Sequence, residues 1–263
     1  RSGLLKPARI QGMFPSPETL GYAFLGGVLP ALAWLIFMLR EEDRCPQPRW
    51  AVLLAFVAGM IAVPLVMPLQ SLSCNEWAIS AYWACHHSET TLLGTKVLIA
   101  WAAIEETAKY ALAAAFVLWR KNAVRNSLDI VATMLTVALG FAALENTLFL
   151  IQPFSQGYLM EAIGLGNLRF IGSTLLHIVA SSVLGFALAF SYKASIPIRM
   201  LASSVGLILA IALHALFNFF IIEGDGSYVI LALFTVWTGA VAVFAAFEIL
   251  KYFLYRNLPK NIC

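Results

Sequence analysis

Charge is what this chain has least of. Only 12% of its 263 residues are Asp, Glu, Lys or Arg, against 61% hydrophobic, whereas a soluble domain carries about 25% charged residues. An ordinary soluble globule is thereby excluded. Disorder and direct nucleic-acid binding are excluded too, because both need far more charge. The net charge of +3 is too small to indicate a partner. Residues 1–19 hold no apolar run followed by a small-residue cleavage site, so they do not read as a secretory signal. No low-complexity linker or second soluble domain interrupts residues 1–263.

What is present is long apolar sequence, with a mean hydropathy of +0.83. Seven stretches are long enough to approach the roughly 20 residues that a spanning helix needs. They run from about Leu20 to Leu39, Ala51 to Leu69, Leu92 to Trp119, Ser127 to Ile151, Phe170 to Tyr192, Met200 to Ile222 and Tyr228 to Leu250. Ser16-Pro17 supplies an N-cap and first-turn pair for the first. The expected fold is all-α: a polytopic membrane protein of about seven transmembrane helices.

Eleven of the seventeen basic residues fall in alternate connections, around Arg44, Lys121, Arg199 and Arg256. The positive-inside rule makes that side cytoplasmic. The N-terminus is then outside and the C-terminus cytoplasmic, although Arg1, Lys6 and Arg9 oppose this; a missing upstream span or a foreign N-terminus would reconcile them. Residues 71–91 and 153–169 become outer, interfacial segments. Cys74 and Cys85 share the first of these, and a bridge and two free thiols are equally compatible with it.

A charge at the bilayer centre costs about 3 kcal/mol or more, yet four spans carry polar groups. They are Glu105, Glu106 and Lys109; Glu145 and Asn146; His177; and His214 with Asn218. At about 1.5 Å per residue, Glu105, His177 and His214 lie about 22–24 Å from the cytoplasmic edge, and Glu145 and Asn218 about 27–28 Å. Polar groups from spans three to six thus share one layer, in the outer half of a core about 30 Å thick. Within the spans, Lys109 is three and four residues from the two glutamates, and His214 and Asn218 are one turn apart, so each set shares a face. Glu105 and Glu106 point about 100° apart and must do different work.

Carboxylates beside histidines in a dry site activate water, because a carboxylate removed from water becomes a better base near neutral pH. A His and an Asn one turn apart supply donors to a developing oxyanion. Other hydrolase designs find little support. There is no His-Glu-x-x-His pair, no intramembrane Asp pair and no Gly-x-Ser-x-Gly elbow.

Glu105-Glu106-Thr107-Ala108-Lys109, Phe141-Ala142-Ala143-Leu144-Glu145-Asn146, His177 with Gly185, and His214-Ala215-Leu216-Phe217-Asn218 occur in this order, each in its own span. Together they resemble the ordered motifs of the PrsW-type proteases, relatives of the CAAX-protease and bacteriocin-processing enzymes. The resemblance covers about residues 92–222, the expected catalytic core. Lys109 and Glu145 stand where the CAAX branch carries an Arg one position later and a His, which favours the PrsW branch.

The resemblance implies a glutamate-dependent intramembrane endopeptidase of the bacterial inner membrane, without a cofactor. Its substrate would be a single-span membrane protein of the anti-sigma-factor kind, cut outside the cytoplasm, with lipid as its other partner. Glu105 would be the base and Glu106 its assistant or the holder of Lys109, an assignment that the motif leaves open. Glu145 and His177 would complete the water site, and His214 and Asn218 would be the oxyanion donors. Two alternatives come from the residues themselves. One is a zinc protease using His177, His214, Glu105 and Glu145. The other is a proton- or ion-coupled transporter, although no internal repeat supports it.

Overall fold

The structure, a computed structural model, describes residues 15–41, 46–76, 92–223 and 228–256. Eight α-helices and no strand occur among them. They are α1 (Pro17–Glu41), α2 (Arg49–Glu76), α3 (Leu92–Ala113), α4 (Ser127–Ser155), α5 (Leu159–Ile171), α6 (Ser173–Phe190), α7 (Ile196–Glu223) and α8 (Val229–Tyr255). The Cys74–Cys85 question falls outside the described side chains, as do Arg1, Lys6 and Arg9.

Local chemistry explains the ends. Ser16 accepts the Thr19 N–H with its hydroxyl, and Pro17 opens α1. Its ring has no N–H to leave unsatisfied there and presets the helical φ. At α4, the Asn126 side chain accepts the N–H groups of Leu128 and Asp129. The Asp129 carboxylate accepts the Asn126 N–H in return, closing a capping box. The third span ends less regularly. After Ala113 the chain widens into a π-helical turn, Ala114–Leu118, before Trp119.

α4 is hydrophobic on every side and has the most buried apolar stretch of the candidate spans, as expected of a helix surrounded mostly by protein. It packs against α1, α2 and α6; α6 packs in turn against α7 and α8, and α3 lies between α2 and α7. The outer faces of α7 and α8 present Leu201, Ile208, Ile230 and Phe234, side chains suited to lipid.

Among the described residues, six helical stretches are long and apolar enough to cross a membrane, α5 and α6 together making one run from Leu159 to Phe190. α3 is the seventh long helix. It carries Lys96, Glu105, Glu106 and Lys109, and the last three are buried within the protein. The chain is thus an all-α polytopic membrane protein. The fifth apolar stretch differs from its expected form: its helix begins at Ser173, and residues 159–171 form a separate helix ahead of it, divided from it at Gly172.

Candidate active site

Six helices converge on one buried cluster. From α3, Lys109 Nζ lies 2.5 Å from Glu106 Oε1, and neither side chain is exposed to any extent. The pair is three residues apart, so the helix itself brings the charges together. Glu106 is fully partnered: its Oε1 also accepts from His214 Nδ1 of α7 at 2.8 Å, and its Oε2 accepts from Ser181 Oγ of α6 at 3.1 Å. Three partners offset the cost of burying a carboxylate that one could not.

Lys109 reaches further. Its Nζ is 3.0 Å from His177 Nδ1 on α6 and 4.6 Å from the centre of the Phe141 ring. An ammonium can only donate, so Nδ1 is the acceptor and the His177 proton sits on Nε2. That Nε2–H donates to Glu145 Oε2 of α4 at 3.1 Å. The same oxygen also accepts from Arg169 Nη2 of α5. Asn146 is fixed beside it, donating to Thr174 Oγ1 at 3.0 Å and accepting from Arg169 Nε at 2.6 Å.

Glu105 stands apart. Its Oε1 accepts from Gln70 Nε2 of α2 at 2.8 Å, while its Oε2 is buried without a hydrogen-bond partner. That oxygen lies 3.6 Å from His214 Nε2. The His177 and His214 rings meet edge to face, 5.1 Å between centres. The candidate residues Glu105, Glu106, Lys109, Glu145, His177 and His214 are therefore one connected cluster. Asn218 is half-buried, one turn beyond His214, and its side chain makes no hydrogen bond among the described residues.

Three further residues belong to the cluster. Ser181 lies one turn after His177, so the helical repeat places it on the same face. Gln70 follows the second apolar run directly. Arg169 reads in the sequence as an ordinary basic residue at a span end.

A cavity of about 330 Å³ between α6, α7 and α8 is a different place. Its walls include Leu176, Val179, Leu213, Val236 and Gly239, almost wholly apolar. Leu176 and Leu213 each precede a site histidine and so lie about 100° around their helices from it.

Comparison with known proteins bears on what the cluster is for. The model of a family described as "PrsW family intramembrane metalloprotease" matches residues 47–250, most of the chain and all of the cluster. The chain belongs to the PrsW family. By that membership it is an intramembrane protease. It is also similar to a protein named "Protease PrsW" from Oceanobacillus iheyensis, 24% identical over 205 residues, which cover 78% of this chain and 85% of the relative. No solved structure matches.

The PrsW family description raises the question of a metal. Glu105, His177 and His214 each place a ligand-type atom within 4.8 Å of the others, close enough to surround one ion. Their lone pairs do not suit it. His177 uses Nδ1 to accept from Lys109 and donates Nε2–H to Glu145, so neither nitrogen is free to coordinate. An ion there would also lie close to the Lys109 ammonium. Glu145, the fourth candidate ligand, is held by Arg169. As arranged, the donors do not fit a metal ion.

Proposed function

We propose that this chain hydrolyses a peptide bond of a single-span membrane protein by glutamate-activated water, with Glu105 as the base. The observation that carries this reading is Glu105 Oε2, a buried acceptor with no partner in a cluster whose other carboxylates are tied down. Leaving such an atom unsatisfied costs about 1–3 kcal/mol, a cost that a substrate water would remove.

The charges suit the chemistry. Glu105, Glu106 and Glu145 face two fixed cations, Lys109 and Arg169, so one further proton neutralises the cluster. The reading uses both His214 nitrogens as donors, Nδ1 toward Glu106 and Nε2 toward Glu105. Water enters against Glu105 Oε2 and gives up a proton to it as the hydroxide oxygen bonds the scissile carbonyl carbon. His214 Nε2–H and the Asn218 amide donate to the oxyanion that forms. Glu105 then passes its proton to the amide nitrogen, the C–N bond breaks, and an acid and an amine leave. Lys109 and Glu106 hold His214 in register, and Glu145 holds His177.

On the depth reckoning the cut lies in the outer half of the membrane. The resemblance of the motifs makes a membrane-bound anti-sigma factor the substrate class, in a bacterial inner membrane with the N-terminus outside. A metal-dependent hydrolysis is the second reading, favoured by the 4.8 Å grouping of Glu105, His177 and His214 and by the family's description.

Purified protein in lipid nanodiscs, given a panel of single-span reporters, tests both readings. The expected result is cleavage that survives chelator and is lost in Glu105→Gln. Cleavage abolished by chelator and restored by zinc would replace the glutamate reading with the metal one. A panel left uncut would overturn the peptidase reading for single-span substrates.

A further inference from the structure

Arg169 is absent from the motifs yet makes more polar contacts in the site than any other side chain of α5. Its Nη2 donates to Glu145 Oε2 and, at 3.2 Å, to Ser173 Oγ. Its Nε donates to Asn146 Oδ1 at 2.6 Å. Its guanidinium lies 3.8 Å from the centre of the Phe149 ring. The side chain is only 14% exposed. Glu145, Asn146 and Phe149 lie on one side of α4, five residues end to end, and Ser173 opens α6. One planar fork therefore ties three helices together at the edge of the cluster.

We propose that Arg169 is a positioning residue that, through Glu145, holds the His177 ring in the orientation in which Lys109 fixes its tautomer. This rests on the hydrolytic reading only for its effect on turnover. Glu145 Oε2 has two donors, Arg169 and His177. Without the guanidinium, the carboxylate is held by the imidazole alone and can turn with it about its last bond. Held by the fork, it presents Oε2 to the His177 ring in a fixed direction. The ring then keeps its proton on Nε2, and Nδ1 stays an acceptor for Lys109. Lys109 in turn stays on Glu106, and Glu106 on His214. The line of contacts ends at His214 Nε2 and the free oxygen of Glu105. Arg169 itself touches neither.

A lysine at this position would keep the charge but lose the fork, because its ammonium is a point donor on a flexible stem. That distinction separates positioning from charge balance. Two measurements on the full-length protein in nanodiscs, with Arg169→Lys and Arg169→Gln, make the test.

The first uses selective ¹⁵N labelling of the four histidines, with His177 identified by its loss in His177→Gln. The wild-type ring is expected as the Nε2–H tautomer. In Arg169→Lys, which keeps the buried charge and hence the fold, the tautomers are expected to mix and the Nε2 proton to exchange faster. An unchanged His177 signal in that variant would overturn the proposal. This reading needs no turnover, so it stands or falls separately from the proposed reaction.

The second is reporter cleavage. A displacement of about 1 Å near the chemistry can cost about 100-fold. A kcat loss of about that size, with KM unchanged, is expected in both variants. Glu145→Gln combined with Arg169→Gln should be no slower than Glu145→Gln alone, since both act through one contact. Full kcat in Arg169→Lys would reduce Arg169 to charge balance and overturn the positioning role.

Discussion

Glu105 and Glu106 are adjacent in the chain and differ in nearly every physical respect. Glu106 is bound by an ammonium, an imidazole and a hydroxyl, and Glu105 by one amide on one oxygen. Neutralising Glu106 therefore strands Lys109, a fully buried cation. Breaking a buried pair from one side costs about 3–5 kcal/mol, so Glu106→Gln is expected to lower the melting temperature sharply as followed by tryptophan fluorescence. Glu105→Gln strands no charge and keeps an oxygen for Gln70. It should melt close to wild type while cleaving about 10²–10⁴-fold more slowly, the usual contribution of a general base. The reverse pattern, with Glu105→Gln unstable and Glu106→Gln folded but inactive, would transfer the base role to Glu106. The helical wheel alone indicates that the two must differ, but their tertiary partners are needed to say how.

Those partners depend on how closely the helices approach, and α2 and α4 approach closest at glycine. A Cβ built on Gly140 would lie 1.9 Å from the Phe56 carbonyl oxygen, and one on Gly59 would lie 2.0 Å from that of Val137. Backbone meets backbone there, as small residues permit between membrane helices. Gly140→Ala must push the helices apart, at about 1–3 kcal/mol or more. Because α2 carries Gln70 and α4 carries Glu145, cleavage should fall along with stability. Gly21 has no atom within 4 Å of its would-be Cβ. Gly21→Ala should therefore melt at or above the wild-type temperature, given alanine's better helix propensity. Equal melting of Gly140→Ala and wild type would show that the crossing yields.

At this scale much was legible in the sequence. The spans show as apolar runs, and Ser16-Pro17 marks a helix start. The polar layer stands out because lipid forbids it. Arg169 was not legible, because basic residues at span ends are expected anyway and its partner Glu145 is 24 positions away. Gln70 was hidden by standing just past an apolar run. The sequence sets residues 153–169 apart from a span opening at Phe170, but nothing in it shows that 159–171 is a helix of its own ending at Gly172, just inside that span.

For the whole molecule, orientation determines where a substrate is cut, and the bulk of the basic residues sit on one side. The turn after the π-helical segment holds Arg120, Lys121 and Arg125, whereas the turn at Gln156-Gly157 between α4 and α5 has no charge. α4 joins these two turns and spans 29 residues, about 43 Å at the helical rise, so they lie on opposite faces of the membrane. Lys121 and Gln156 are both exposed. In a version with the native cysteines replaced, Lys121→Cys should react with a membrane-impermeant thiol reagent only after the cells are opened. Gln156→Cys should react in intact spheroplasts. Glu145 lies ten residues from Ser155 at the uncharged end of α4 and eighteen from Ser127 at the basic end, so this labelling also fixes which face the site is nearer. The opposite pattern would invert the molecule. It would move the proposed cut to the cytoplasmic half and remove an extracytoplasmic cleavage of an anti-sigma factor from the substrate classes open to this protein.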